Sequence, residues 1–236
     1  MNTVNQVLTE LKKKGSAQTV KIYTNHGAPP EMLGVKVADL KVIAKKIKGN
    51  QALALELYET GNADAMYLAG MVADGSQMTK KQLNDWAKQA GWYMQSEYTV
   101  PWVASESKHG RDLANKWIKS KQEKIAASGW ATYSALLSVL DDEQLDKDEI
   151  QDLLSSIPDK IDEAANRVRY CMNGFVISVG CYFKPLLKKA KTISKKIGKV
   201  EVDMGGTACK VPLATDYIAK VEARGTIGKK RKTAKC

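Results

Sequence analysis

Apolar residues recur along this chain at helical rather than strand spacing. Val37, Leu40, Ala44 and Ile47 fall at i, i+3, i+7 and i+10, the stripe of an amphipathic helix that Gly49-Asn50 ends. Ala52 to Tyr58 and Ala65 to Val72 are apolar on most sides, read as buried inner helices, and are separated by Gly61-Asn62. Thr79 with Gln82 three positions on forms a capping-box pattern, followed by the buried stripe Leu83, Trp86 and Ala90. Further helices are predicted over Val100 to Glu106, Asp112 to Lys119, Ile125 to Leu140, Asp148 to Ser156 (closed by Pro158), Ile161 to Tyr182 and Pro185 to Ile197. No two-residue alternation with turn dipeptides is sustained between residues 36 and 198, which argues against a sheet. Val200-Glu201-Val202 is the one short extended piece expected. The fold class is therefore all-α. Periodicity alone leaves a compact bundle and a solenoid of helix pairs both open, because no clean repeat of fixed period appears.

Composition narrows the function classes. The chain has 236 residues and no apolar run near the ~20 residues needed to cross a bilayer, so no membrane role is expected. The lysine-rich start carries no secretory signal, and a cytoplasmic protein is the simplest reading. Four cysteines without a CxxC pair, and two histidines (His26 and His109) far from them, offer no metal-ligand spacing, so no metal is expected. Cys171 and Cys181 lie in an apolar run and read as reduced core residues, and Trp86 and Trp117 as core rings.

Charge is more informative because of where it sits. Residues 182–236 carry 15 basic and 4 acidic side chains, which accounts for the whole net charge of +11. Such concentration is the footprint of a polyanion partner. In the helix from Pro185, Leu186, Ala190, Ile193 and Ile197 form an apolar stripe, while Lys184, Lys188, Lys191 and Lys195 form a basic stripe shifted by two residues. Two residues are about 200° of helix, so the lysines are expected to face outward, about 6 Å apart, as the helix docks on the core. Such a row can follow a phosphate backbone. The run Lys229-Lys230-Arg231-Lys232 with Lys235 is read as a tail that either adds non-specific nucleic-acid affinity or is disordered.

The densest aromatic stretch runs from Trp92 through Tyr93 and Tyr98 to Trp102, with Glu97 inside it. It fits a base or sugar contact, or the packing of a helix pair. Arg167 and Arg169 lead into the apolar turns Phe175 to Val179 and each needs a carboxylate or phosphate partner; Glu163, four residues before Arg167, is the local candidate. Gly205-Gly206-Thr207 lacks phosphate-loop spacing and reads as a turn.

Leu33-Gly34-Val35-Lys36-Val37-Ala38-Asp39-Leu40 through Lys48, the run Ala52 to Gly61, and Met78 to Trp86 resemble the DNA alkylation repair (AlkD-like) family. The resemblance extends over most of residues 1–198 and is stronger in the first half, leaving 199–236 as a C-terminal extension with a basic tail. It implies an α-α superhelix of HEAT-like repeats whose concave basic face cradles double-stranded DNA. Active members are N-glycosylases that release N3- or N7-alkylated purines without a metal or nucleotide cofactor. A cationic purine leaves readily, so the protein has to supply a carboxylate for the developing sugar cation. The family delivers it in a W-D-x-x-D pattern. This chain departs from that pattern: one register puts Pro101 at the aspartate and Glu97 at the tryptophan, and the register on Trp92 puts Ser96 at the acid. Glu97 is the nearest substitute, with Trp92, Tyr98 and Trp102 as site rings. Arg169 is the best match to the family's DNA-contacting arginine, with Arg167 second.

Three readings follow. The first is a DNA-binding protein of this family without the catalytic aspartate, contacting alkylated or branched DNA through Arg167, Arg169, Lys184, Lys188, Lys191 and Lys195. The second is an active alkylpurine DNA glycosylase using Glu97. The third is a protein-binding helical scaffold.

Overall fold

The computed structural model describes residues 1–235, which form thirteen α-helices and no strand. The first half contains α1 (Val4–Lys14), α2 (Ala17–Asn25), α3 (Val37–Lys46), α4 (Gln51–Glu59), α5 (Ala63–Val72) and α6 (Lys80–Gln89). The second contains α7 (Val100–Glu106), α8 (Gly110–Ile118), α9 (Glu123–Val139), α10 (Lys147–Ser156), α11 (Asn166–Tyr182), α12 (Leu187–Ile197) and α13 (Ala214–Ala223). None is long and apolar enough to cross a membrane.

Short polar residues start many of these helices. Thr3, Ser16, Asn50, Asn62, Thr79 and Asp146 each accept a backbone N–H from three positions on, and Thr79 and Gln82 complete the capping box expected from the sequence. The loop Leu33-Gly34-Val35 is held by the buried Asp64 carboxylate of α5, which accepts their three N–H groups at 2.6, 3.1 and 2.8 Å. Gly34 there has φ +72°, and a Cβ would collide with Val20 and the Ser16 carbonyl, so the turn requires glycine.

The core has an N-terminal part around Leu57, Leu68 and Leu83 and a C-terminal part around Tyr133, Leu137 and Phe175. Helix α9 packs chiefly on α8 and α11 and touches α7, joining the two parts. Trp86 stacks on Tyr58 with centroids 3.8 Å apart and Trp117 donates to Asn84, both within the core as expected. Cys171 and Cys181 are buried free thiols.

The structure departs from the sequence expectations at several places. Helix α11 begins at Asn166 rather than Ile161, after a run of turns. Residues 200–202 form no strand: Val200 packs into the core while the backbone stays irregular. Before α7 the chain makes a π-helical turn over Gln95–Thr99, in which Val100 N–H donates to the carbonyl of Gln95 five residues back. Pro101 explains it: a proline ring clashes with the carbonyl four residues earlier, and a wider turn moves that carbonyl, on Glu97, away. Finally, the basic tail is docked. Gly228 N–H donates to Cys181 and Arg231 N–H to Ser138, Lys230 Nζ lies 2.9 Å from Asp142, Lys235 Nζ lies 2.7 Å from Glu106, and Ala234 enters the N-terminal core. Helix α13, which no stripe in the sequence singled out, packs on α11 and α12 through Ala214 and Ile218.

Candidate nucleic-acid interface

The π-helical turn and the first turn of α11 bring together two residues the sequence analysis gave separate roles. Arg167 Nε and Nη2 donate to Glu97 Oε1 and Oε2, both at 2.6 Å, a two-pronged ion pair. Its partner is thus Glu97, not Glu163. The guanidinium lies between Tyr93 and Tyr170, 4.7 and 4.5 Å from their ring centroids. Arg167 N–H donates at 2.6 Å to Glu123, the first residue of α9.

The Glu97 side chain is 3% exposed and that of Arg167 19%. Burial raises the Glu97 carboxyl above the usual carboxylate range, and the Arg167 contact opposes it. Burial also works against the charge of Arg167, but the bonds and attraction of Glu97 overcome it and hold the guanidinium protonated. Burial pushes the Tyr93 phenol up to about 12 and that of Tyr170 upward as well, so both remain neutral donors.

Arg167 and Tyr170 form one side of a cavity of about 550 Å³. Trp92, Tyr93 and Tyr98 add aromatic wall, and Lys124 and Lys210 supply positive charge. Trp92 is fixed by its indole N–H, which donates to the His26 carbonyl at 2.7 Å. The roof is Asp203-Met204-Gly205 of the C-terminal extension. The side-chain amide of Asn166 pairs with both backbone groups of Asp203 at 2.7 and 2.8 Å, as a neighbouring strand would. Gly205 has φ +68°, and a Cβ there would lie 2.5 Å from the Asn25 carbonyl at the end of α2. The glycine of this turn is therefore required by close approach as well as by conformation. Asn166 thus ties the extension to one side of the cavity, and Gly205 lies against Asn25 on the other.

The sequence candidates are placed unevenly. Trp92, Tyr98 and Arg167 line the cavity, whereas Glu97 stands behind Arg167. Trp102 does not reach it: it is 4% exposed and packs edge-on against Tyr67 in the core. Arg169, two positions and about 200° around α11 from Arg167, does not line it either, and its Nε is buried without a hydrogen-bond partner. The lysines of α12 do not line the cavity; α12 packs alongside α11, and its last turn reaches Asp159 through Lys196. Their outward row is interrupted because α13 packs along it: Lys191 Nζ is 2.7 Å from Glu222, and the Lys184 stem passes over Gly228. Lys188 and Lys195 are exposed and make no ion pair among the described residues. Sequence reasoning missed Glu123, Lys124, Asn166 and Lys210, which sit at helix starts or in an irregular segment where no periodic pattern marks them. Among the described residues no group of three or more His, Cys, Asp or Glu side chains is placed to hold a metal.

An all-helical chain with this groove invites comparison with known proteins. The sequence model of the family described as DNA alkylation repair enzyme matches residues 4–190. The chain belongs to the DNA alkylation repair enzyme family. Two relatives are uncharacterized proteins, Lin0241 of Listeria innocua and Lmo0209 of Listeria monocytogenes. They are 35% and 34% identical over 230 residues, covering 95% of this chain and 99% of each relative. A solved structure from "a new family of proteins related to the HEAT-like repeat DNA glycosylases with affinity for branched DNA structures" is 39% identical and superposes with a TM-score of 0.90, over 99% of this chain and 100% of that one. The architecture is therefore the HEAT-like repeat fold of the DNA glycosylases, with the C-terminal extension included in the match.

Proposed function

We propose that this member of the DNA alkylation repair family binds branched DNA and does not excise alkylated bases. The observation that carries the reading is the Glu97–Arg167 pair. Hydrolysis of an alkylpurine nucleotide needs a carboxylate whose negative charge faces the sugar as positive charge develops. Both oxygens of Glu97 are occupied by one guanidinium, which also stands between them and the cavity. The pair presents no net charge. Affinity for branched DNA in the structural relative supports the choice of partner.

In this reading the DNA backbone is contacted at two stations. Lys124 and Lys210 lie at the cavity, and Lys188 and Lys195 on α12, with Lys184 just before it, form the second station. Arg169 is the remaining candidate contact.

The test is release of 7-methylguanine from a methylated duplex by the full-length protein, with Glu97→Gln and Glu123→Gln variants in parallel. No release above the rate without protein is expected from any of the three. Release by the unaltered protein that disappears in either variant overturns the proposal and locates the acid.

A further inference from the structure

The cavity under Asp203-Met204-Gly205 has walls that a paired duplex would not use. Its volume of about 550 Å³ is that of a ligand-holding cleft. Four aromatic residues, Trp92, Tyr93, Tyr98 and Tyr170, contribute to the lining. Tyr98 is the most open of them at 36% exposure, and its ring neighbours Tyr93 and Trp102 meet it at steep angles of 65° and 63° rather than stacking. Arg167 cannot serve as an anion site, because Glu97 already neutralises it. Positive charge at the cavity comes instead from Lys124 and Lys210, neither of which forms an ion pair among the described residues. Two exposed acids also line it: Glu123, which accepts from Arg167 N–H, and Asp203, which accepts from Gly205 N–H.

A duplex offers a protein base edges and phosphates; its base faces are stacked. Aromatic walls beside lysines suit a nucleotide whose base is out of the stack, since every base has a π-face and a phosphate accompanies it. Branch points are where such nucleotides are cheap to obtain, because no pair has to be broken.

We propose that this cavity receives one unpaired nucleotide of branched DNA, its base against the Tyr98 side of the aromatic wall and its phosphate at Lys124 and Lys210. The inference rests on the DNA-binding reading above and adds to it the feature of the branch that is recognised. It also gives the roof a purpose: residues 203–205 close over the bound nucleotide and separate it from solvent.

The experiment uses the full chain and two three-way junctions with identical arms, one fully paired and one with two unpaired thymidines at the branch. The expected result is about tenfold tighter binding of the second junction, a ratio set by base–aromatic stacking. That ratio collapses in Tyr98→Ala and is kept in Tyr98→Phe. Replacing one unpaired thymidine by 5-iododeoxyuridine and irradiating should cross-link the DNA to Trp92, Tyr93, Tyr98 or Tyr170. Equal affinity for the two junctions overturns the inference and leaves the branched-DNA reading standing. A cross-link confined to other residues, or a ratio unchanged in Tyr98→Ala, overturns it also. No binding to either junction overturns both readings.

Discussion

Arg167 and Glu97, 70 positions apart, hold one another's charge in a buried ion pair. Removing one partner of a buried pair leaves the other charged and unpaired. Arg167→Ala should therefore lose about 3–5 kcal/mol of stability in urea unfolding, whereas Arg167→Met combined with Glu97→Gln should lose much less. Equal losses would show that the pair contributes only packing. A second carboxylate cluster sets the acid limit. Burial pushes the Glu149 carboxyl upward, but bonds from Arg111, Tyr133 and Asn115 outweigh it and its pKa is lowered. A depressed carboxylate contributes stability that is complete above its unfolded value near 4.3 and is lost as pH falls through the lower folded value. Glu149→Gln should therefore flatten stability against pH below about pH 4.5. An unaltered acid-unfolding curve in that variant would contradict the assignment.

At the scale of elements, what was legible was what periodicity reports. The stripe Val37–Ile47, the capping box at Thr79, and the helices from Val100 to Ser156 follow from apolar spacing and caps, and the structure contains them. The π-helical turn was not legible, because it depends on what Pro101 does to the carbonyl of Glu97 rather than on which faces are apolar. Helix α13 was missed because only Ala214 and Ile218 of its surface are buried, too few to make a stripe. The roof over the cavity was hidden for another reason: its fixing bonds run from the backbone of Asp203 to a side chain 37 residues away. Asn166→Ala removes both bonds, and amide exchange at residues 203–205 should then accelerate while that of α11 beyond its first turn is unchanged. Unchanged exchange at 203–205 would mean that Gly205 and Met204 hold the roof without Asn166.

For the whole molecule, the C-terminal extension is part of the fold. The excess charge in the last quarter of the chain pointed toward a polyanion, but Lys230 and Lys235 are 15% and 18% exposed and close the tail across the two core halves. Paired alanine substitutions at Lys230 and Lys235 should lower the unfolding midpoint, by about 2–4 °C for each kcal/mol lost, without changing affinity for DNA. A fall in DNA affinity at unchanged midpoint would return the tail to the binding surface. The lysines proposed for DNA are then Lys184, Lys188 and Lys195 on and before α12, and Lys124 and Lys210 at the cavity. Branched-DNA recognition is decided by the binding of a four-way junction against a linear duplex of the same arm sequence, each across a series of salt concentrations. The junction should bind more tightly at every salt concentration, with the logarithm of both constants falling linearly as the logarithm of salt rises. Equal affinity for junction and duplex, or affinity independent of salt, would contradict it.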